Sequence, residues 1–150
     1  MSRKDISSTK SSGFTLIELL VVVAILGIIS AIGVTAYSGY VDGAKKKSVE
    51  NIMQQISLAQ SEYKADYDAY VTTGCGATEA TSLDIEKKLF GLASTKKKPE
   101  LINDDLEYYM CIETADTNFY NIIAKERVAK DACEITLSGK SLGISRGSNC

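Results

Sequence analysis

From Leu19 to Val41 the chain carries no charged residue for 23 positions, and Leu, Val, Ile and Ala dominate the run. As a helix this stretch would be about 35 Å long, enough to cross a bilayer core of roughly 30 Å. No other feature narrows the possible folds as much, because a surface apolar on every side belongs in lipid or against other protein. Glu18 stands at its leading edge. A carboxylate at the margin of a membrane helix is costly and marks a functional position.

The residues before and into the run are Lys10, Ser11, Ser12, Gly13, Phe14, Thr15, Leu16, Ile17 and Glu18. With the apolar residues that follow, to about Tyr40, they resemble the N-terminus of a type IV prepilin with its class III leader. The resemblance implies that an inner-membrane prepilin peptidase cuts between Gly13 and Phe14 and methylates the new amine of Phe14. It also implies that Glu18 pairs with the terminal amine of a neighbouring subunit during assembly. The residue types make physical sense in these roles. Gly13 has no side chain to obstruct close approach of a protease to the backbone. Glu18 lies four residues beyond Phe14, on the same helix face. A carboxylate withdrawn from water is tolerated when a cation pairs with it.

The chain divides on this reading into a leader at 1–13, a hydrophobic membrane and polymerisation helix at 14–41, and a head at 42–150. The leader holds Arg3, Lys4 and Lys10 against Asp5. It is too polar for an ordinary secretory signal, and cleavage ahead of the apolar run keeps the helix in the mature protein. The positive leader stays cytoplasmic and the head is exported. The mature part has 14 basic and 18 acidic side chains, a mild excess of negative charge. That gives no global argument for nucleic-acid binding. Four cysteines, Cys75, Cys111, Cys133 and Cys150, lie in the exported part. In an oxidising compartment they suggest two disulfides with three possible pairings. Local order favours Cys75–Cys111 and Cys133–Cys150. The second would pin the C-terminal residues and resembles the C-terminal disulfide-bounded loop of many type IV pilins.

Past Asp42 the pattern turns amphipathic. Val49, Ile52, Met53, Ile56, Ala59, Tyr63 and Tyr67 recur at helical steps, while Glu50, Gln54, Ser57 and Ser61 fall on other faces. One helix from about Thr15 to Asp66 is expected. Gly27, Gly33, Gly39 and Gly43 punctuate it, as close packing between helices allows. Thr35 stands where many type IV pilins carry a proline. A connection follows from 68 to 99, the place of the variable surface loop of pilins. Within it, a capping box at Thr81–Asp84 predicts a short helix from Ser82 to about Phe90, closed by Gly91. Strands are expected at 106–113, 118–125, 133–137 and 142–145, with a hairpin turn at 138–141. Short turns favour an antiparallel meander, packed on the helix at Ile52, Ile56 and Tyr63. The expected fold class is α+β, the pilin fold, with a long N-terminal helix on a sheet of about four strands.

No constellation resembles an active site, and the absence of histidine removes the commonest general base. No enzymatic role, cofactor or metal is expected. Gly139-Lys140-Ser141 resembles the end of a phosphate-binding loop, but position 134 is glutamate and a hairpin fits better. Lys96, Lys97 and Lys98 form a loop cluster that could touch nucleic acid or another polyanion, with a solvated loop the plainer reading. Carboxylates at Asp66, Asp68 and Asp84, or at Asp104, Asp105 and Glu107, could supply oxygen to calcium, but no recognisable loop pattern is present.

The resemblance implies a structural subunit of a type IV pilus. It waits in the inner membrane and then polymerises with other copies, serving adhesion, twitching motility or DNA uptake. The prepilin peptidase, the assembly platform and the motor are the implied partners. A minor pilin and a type II secretion pseudopilin share the same N-terminal features. From another class, a membrane-anchored binding protein would keep its leader and never polymerise.

Overall fold

The computed structural model describes residues 13–74, 76–92, 98–102, 104–116, 118–127 and 132–150. The chain divides into two units, one ending at Val41 and one running from Asp42 to Cys150. Helix α1 spans Leu16–Tyr67 and is continuous through Thr35, whose hydroxyl donates to the Ile32 carbonyl (3.0 Å). It ends where Asp68 takes a left-handed conformation, φ 54°. There the Lys64 ammonium donates to the Asp68 carbonyl oxygen, a common way to close a helix end.

In the second unit the core is built from the stripe Val49, Met53 and Ile56 of α1, facing a four-stranded antiparallel sheet. The sheet is the expected meander: β1 Tyr108–Asp116, β2 Phe119–Glu126, β3 Glu134–Ser138 and β4 Ile144–Arg146, paired in chain order. Alternate residues point inward, as the pleat requires. Met110, Ala124 and Ile135 form one row across the strands, and Ile112, Ile122 and Leu137 the next. All six are buried. The Gly139 turn lies so close to Tyr120 that a Cβ there would sit 2.7 Å from the ring, so only glycine fits.

Three details differ from the sequence expectation. The second helix, α2, spans Glu79–Phe90 and starts three residues earlier, with Thr78 rather than Thr81 at its N-cap. Thr78 and Thr81 cap each other, and the Thr81 hydroxyl also donates to the Met110 carbonyl of β1 (2.7 Å). Docking on the strand therefore selects the start of the helix. Its C-cap is Gly91, as expected, at φ 61°. Next, β1 begins two residues late, because Asp104–Leu106 forms a 3-10 turn and Glu107 adopts φ 57°. Likewise β4 begins only at Ile144, since Leu142 lies in the turn at φ 55°.

The helix stripe also needs correction. Tyr67 is exposed, stacked on Tyr63. Glu50, Ser57 and Gln60 are buried instead. Each is buried because a partner satisfies it. Gln60 donates to the Val71 carbonyl (2.7 Å) and accepts from the Val71 N–H (2.9 Å). Ser57 and Tyr120 share a hydrogen bond of 2.9 Å. Glu50 pairs with Arg146 of β4 and with Lys47. The connection ahead of α2 covers the outer edge of β1: Thr73 N–H donates to the Ile112 carbonyl, and Ile112 N–H to the Thr73 hydroxyl, each at 2.9 Å. Cover of this kind blunts the middle of an edge strand against pairing with another chain.

Candidate functional site

The first turn of α1 explains how Glu18 is held. Thr15 and Glu18 stand three apart, the spacing of a capping box. The Thr15 N–H donates to Glu18 Oε2 at 2.8 Å and the Thr15 hydroxyl to the same oxygen at 2.7 Å. In return the Glu18 N–H donates to the Thr15 hydroxyl oxygen at 3.3 Å. The Thr-x-x-Glu spacing is plain in the sequence, whereas the family resemblance implies only the intermolecular role of Glu18. Both hydrogen bonds to the carboxylate use Oε2, and among the described residues Oε1 accepts none.

Gly13 and Phe14 precede the helix, exposed, with nothing within 4 Å of where a Gly13 Cβ would stand. From Gly13 to Tyr40 every residue is exposed, Phe14 at 84 %. This segment is long and apolar enough to cross a membrane. Gly27, Gly33, Gly39 and Gly43 also face open space. An apolar surface of this extent, left exposed among the described residues, calls for lipid or other helices around it.

In the second unit the Cys133–Cys150 disulfide is formed, with Cα atoms 4.7 Å apart. The last residue is held again by Lys46, whose ammonium donates to the Cys150 carbonyl oxygen at 2.6 Å. Cys111 carries a free thiol, buried on β1. Burial pushes that thiol up, against a hydrogen bond from the Gly76 N–H. Cys75 lies outside the described residues, as do Lys96 and Lys97, while Lys98 is exposed. Three of the six carboxylates considered for calcium go to separate partners: Asp68 to Lys64, Asp84 to Lys88 and Glu107 to Lys45. Sequence reasoning missed Glu86. It is buried on α2 and accepts the backbone N–H groups of Glu100 and Leu101 (2.7 Å each) and Ile102 (2.9 Å). Composition gives no sign of that latch, because its partners are backbone.

A long N-terminal apolar helix behind a capped Glu18, with an α+β head of four antiparallel strands, is the architecture of the pilin class. Residues 8–34 match the family described as the prokaryotic N-terminal methylation motif. Over 81 residues the chain is 33% identical to a fimbrial protein of Neisseria meningitidis serogroup A, a match covering 54% of this chain and 48% of that one. It is 33% identical over 78 residues to the type IV major pilin protein PilE of Neisseria gonorrhoeae, covering 52% and 43%. It is 42% identical over 67 residues to the type II secretion system core protein G of Pseudomonas aeruginosa, covering 45% and 47%. The chain thus spans about half the length of the relatives it matches. No solved structure matches it significantly. Motif, fold and relatives together support membership of the type IV pilin and pseudopilin family, and the leader motif with its apolar helix fits an inner-membrane anchor.

Proposed function

We propose that this chain is a structural subunit of a type IV pilus. In this reading the prepilin peptidase cuts between Gly13 and Phe14, and the amine of Phe14 is methylated. The apolar half of α1 rests in the inner membrane until the platform and motor extract it. It then bundles with the same segment of other copies, and Glu18 pairs with the amine of a neighbouring Phe14. The observation that carries this reading is the uncharged Leu19–Val41 segment, exposed from Leu19 to Tyr40, set directly behind Glu18 and sharing its first half with the methylation motif. Adhesion, twitching motility or DNA uptake would be outputs of the whole filament. Intact mass of the protein from sheared surface filaments and from membranes tests it. A chain starting at methylated Phe14 in the filaments is expected, and full-length chain found only in membranes would favour an unprocessed anchor.

A second reading is a type II secretion pseudopilin, favoured by the 42% identity to core protein G. Deleting the gene distinguishes the two. Loss of surface fibres with normal protein secretion supports the pilus, and the reverse supports the pseudopilus. A minor pilin would instead be scarce in sheared fibres.

The head is further proposed to carry a Cys75–Cys111 disulfide in the exported state. Supporting it, Thr73 is hydrogen-bonded to Ile112, and the Gly76 N–H reaches the Cys111 sulfur, so both flanks of Cys75 sit beside Cys111. Alkylation in denaturant without reduction, followed by intact mass, should leave no cysteine modified; two modified cysteines would remove this pair.

A further inference from the structure

A polar cleft of about 250 Å³ opens in the second unit between the start of its helical segment and the sheet. Asp42, Lys45 and Lys46 of α1, Glu107 and Tyr108 at the start of β1, Glu126 at the end of β2, and Asn149 line it. Both lysines are already engaged. Lys45 pairs with Glu107 at 2.8 Å, and Lys46 donates to the Cys150 carbonyl. The Glu126 carboxylate accepts the Cys133 N–H through Oε2 at 3.3 Å, which leaves its other oxygen open. Asp42 has no hydrogen bond or ion pair among the described residues.

Tyr108 provides the second observation. Its side chain is only 3 % exposed, yet its hydroxyl has no hydrogen-bond partner among the described residues. Every fully enclosed side-chain polar atom described has a partner, so this hydroxyl reaches solvent, and Tyr108 lines the cleft. Burial pushes the phenol up, and the charges of Glu126, Asp42 and Glu107 push it further, so it stays protonated and neutral. The cleft therefore presents two carboxylates and a phenol oxygen as open acceptors, with three negative charges against two positive. A buried tyrosine hydroxyl normally finds a partner.

We propose that this cleft binds a primary ammonium or guanidinium group, held by Asp42, Glu126 and the Tyr108 oxygen. The acceptors suit a cation with several N–H donors. The volume is below the range of roughly 300–1,000 Å³ for drug-sized ligands and suits the head of one side chain or a small amine. No three His, Cys, Asp or Glu side chains among the described residues converge closely enough to hold a metal ion, which argues for an N–H cation. The group can come from a basic side chain of a neighbouring copy, a source that rests on the filament reading, or from a free amine.

The test uses the full chain in detergent micelles, labelled with ¹³Cζ-tyrosine, with the Tyr108 signal assigned through Tyr108→Phe. Ethylammonium and methylguanidinium are titrated at constant ionic strength, with tetramethylammonium, which has no N–H, as the comparison. A saturable shift of the Tyr108 signal is expected with the first two and not with the third. Asp42→Asn, at an exposed position of α1, should weaken binding about tenfold, the loss of one charge-assisted contact; Glu126→Gln should do the same. No saturable shift, an equal shift with tetramethylammonium, or affinity unchanged in both variants would overturn the proposal. Filaments then separate the sources. If the Tyr108 signal is already shifted there and ignores added ethylammonium, a neighbouring copy fills the cleft; if it still responds, a free amine does. A chain that forms no filaments would sink the pilus reading while leaving the micelle titration decisive for the cleft.

Discussion

Glu18 and Thr15 cap each other across the first turn of α1, through hydrogen bonds of 2.8 and 2.7 Å to one carboxylate oxygen and a return contact of 3.3 Å. The residue proposed for intermolecular pairing therefore also stabilises the start of its own helix.

Because of this double duty, Glu18→Val and Glu18→Gln should differ in a useful way. Glutamine can still complete a capping box but carries no charge. Both variants are expected to be cleaved at Gly13 and to enter fibres poorly, with Glu18→Gln retaining the helix start. Intact mass and the yield of sheared fibres are the measurements. Normal fibres made solely of Glu18→Gln chains would assign the residue to capping alone.

Gly13→Val is expected to leave the precursor uncut and in the membrane. Open space surrounds Gly13 within the chain, so valine should disturb the protease rather than the fold. Mass of the membrane-bound chain checks this, together with unchanged thermal unfolding of the head.

The Cys133–Cys150 disulfide closes a short loop, 17 residues in sequence separation. Loops of this length are stabilised by about 3 kcal/mol when cross-linked. Cys133→Ser with Cys150→Ser should lower the unfolding free energy by about that amount, read by denaturant titration in micelles. A loss under about 1 kcal/mol would mean that Lys46 and the β3–β4 ladder already hold the tail.

Glu86→Ala should cost more than a surface change. It removes the acceptor of three backbone N–H groups, of which Ile102 is buried. Unmet buried donors cost about 1–3 kcal/mol each. A loss of about 2–4 kcal/mol is expected by chemical denaturation, with Glu86→Gln intermediate because an amide keeps one acceptor oxygen.

Glu50 should make stability fall in acid. Burial disfavours its charged form, but hydrogen bonds from Arg146 and Lys47 and their charges outweigh this and hold the carboxyl below the usual 4.5. A carboxyl depressed on folding contributes its stability above the unfolded value. That contribution is lost as pH falls from about 4.5 through the lower folded value. Melting temperature measured from pH 6 to pH 3 should drop more steeply in the wild type than in Glu50→Gln. Parallel curves would assign the acid sensitivity to other groups.

Elements whose signals are local are legible in the order of residues alone. An uncharged run of bilayer length, helical steps at Val49, Met53 and Ile56, alternation through Met110, Ile112, Ile122 and Ala124, and a glycine past Phe90 each announce a structure through spacing alone. The C-terminal disulfide followed from the proximity of Cys133 and Cys150 in the chain. Tertiary structure decided which polar residues go inside. Glu50, Ser57, Gln60 and Glu86 sit at positions that polarity assigns to solvent, and each is buried because a distant partner meets it: Arg146, Tyr120, Val71 and the backbone at 100–102. The start of α2 at Thr78 was decided the same way, by the Met110 carbonyl on a strand some thirty residues away. A residue type fixes only the cost of leaving water. Whether burial offsets that cost depends on which group the folded chain brings opposite it.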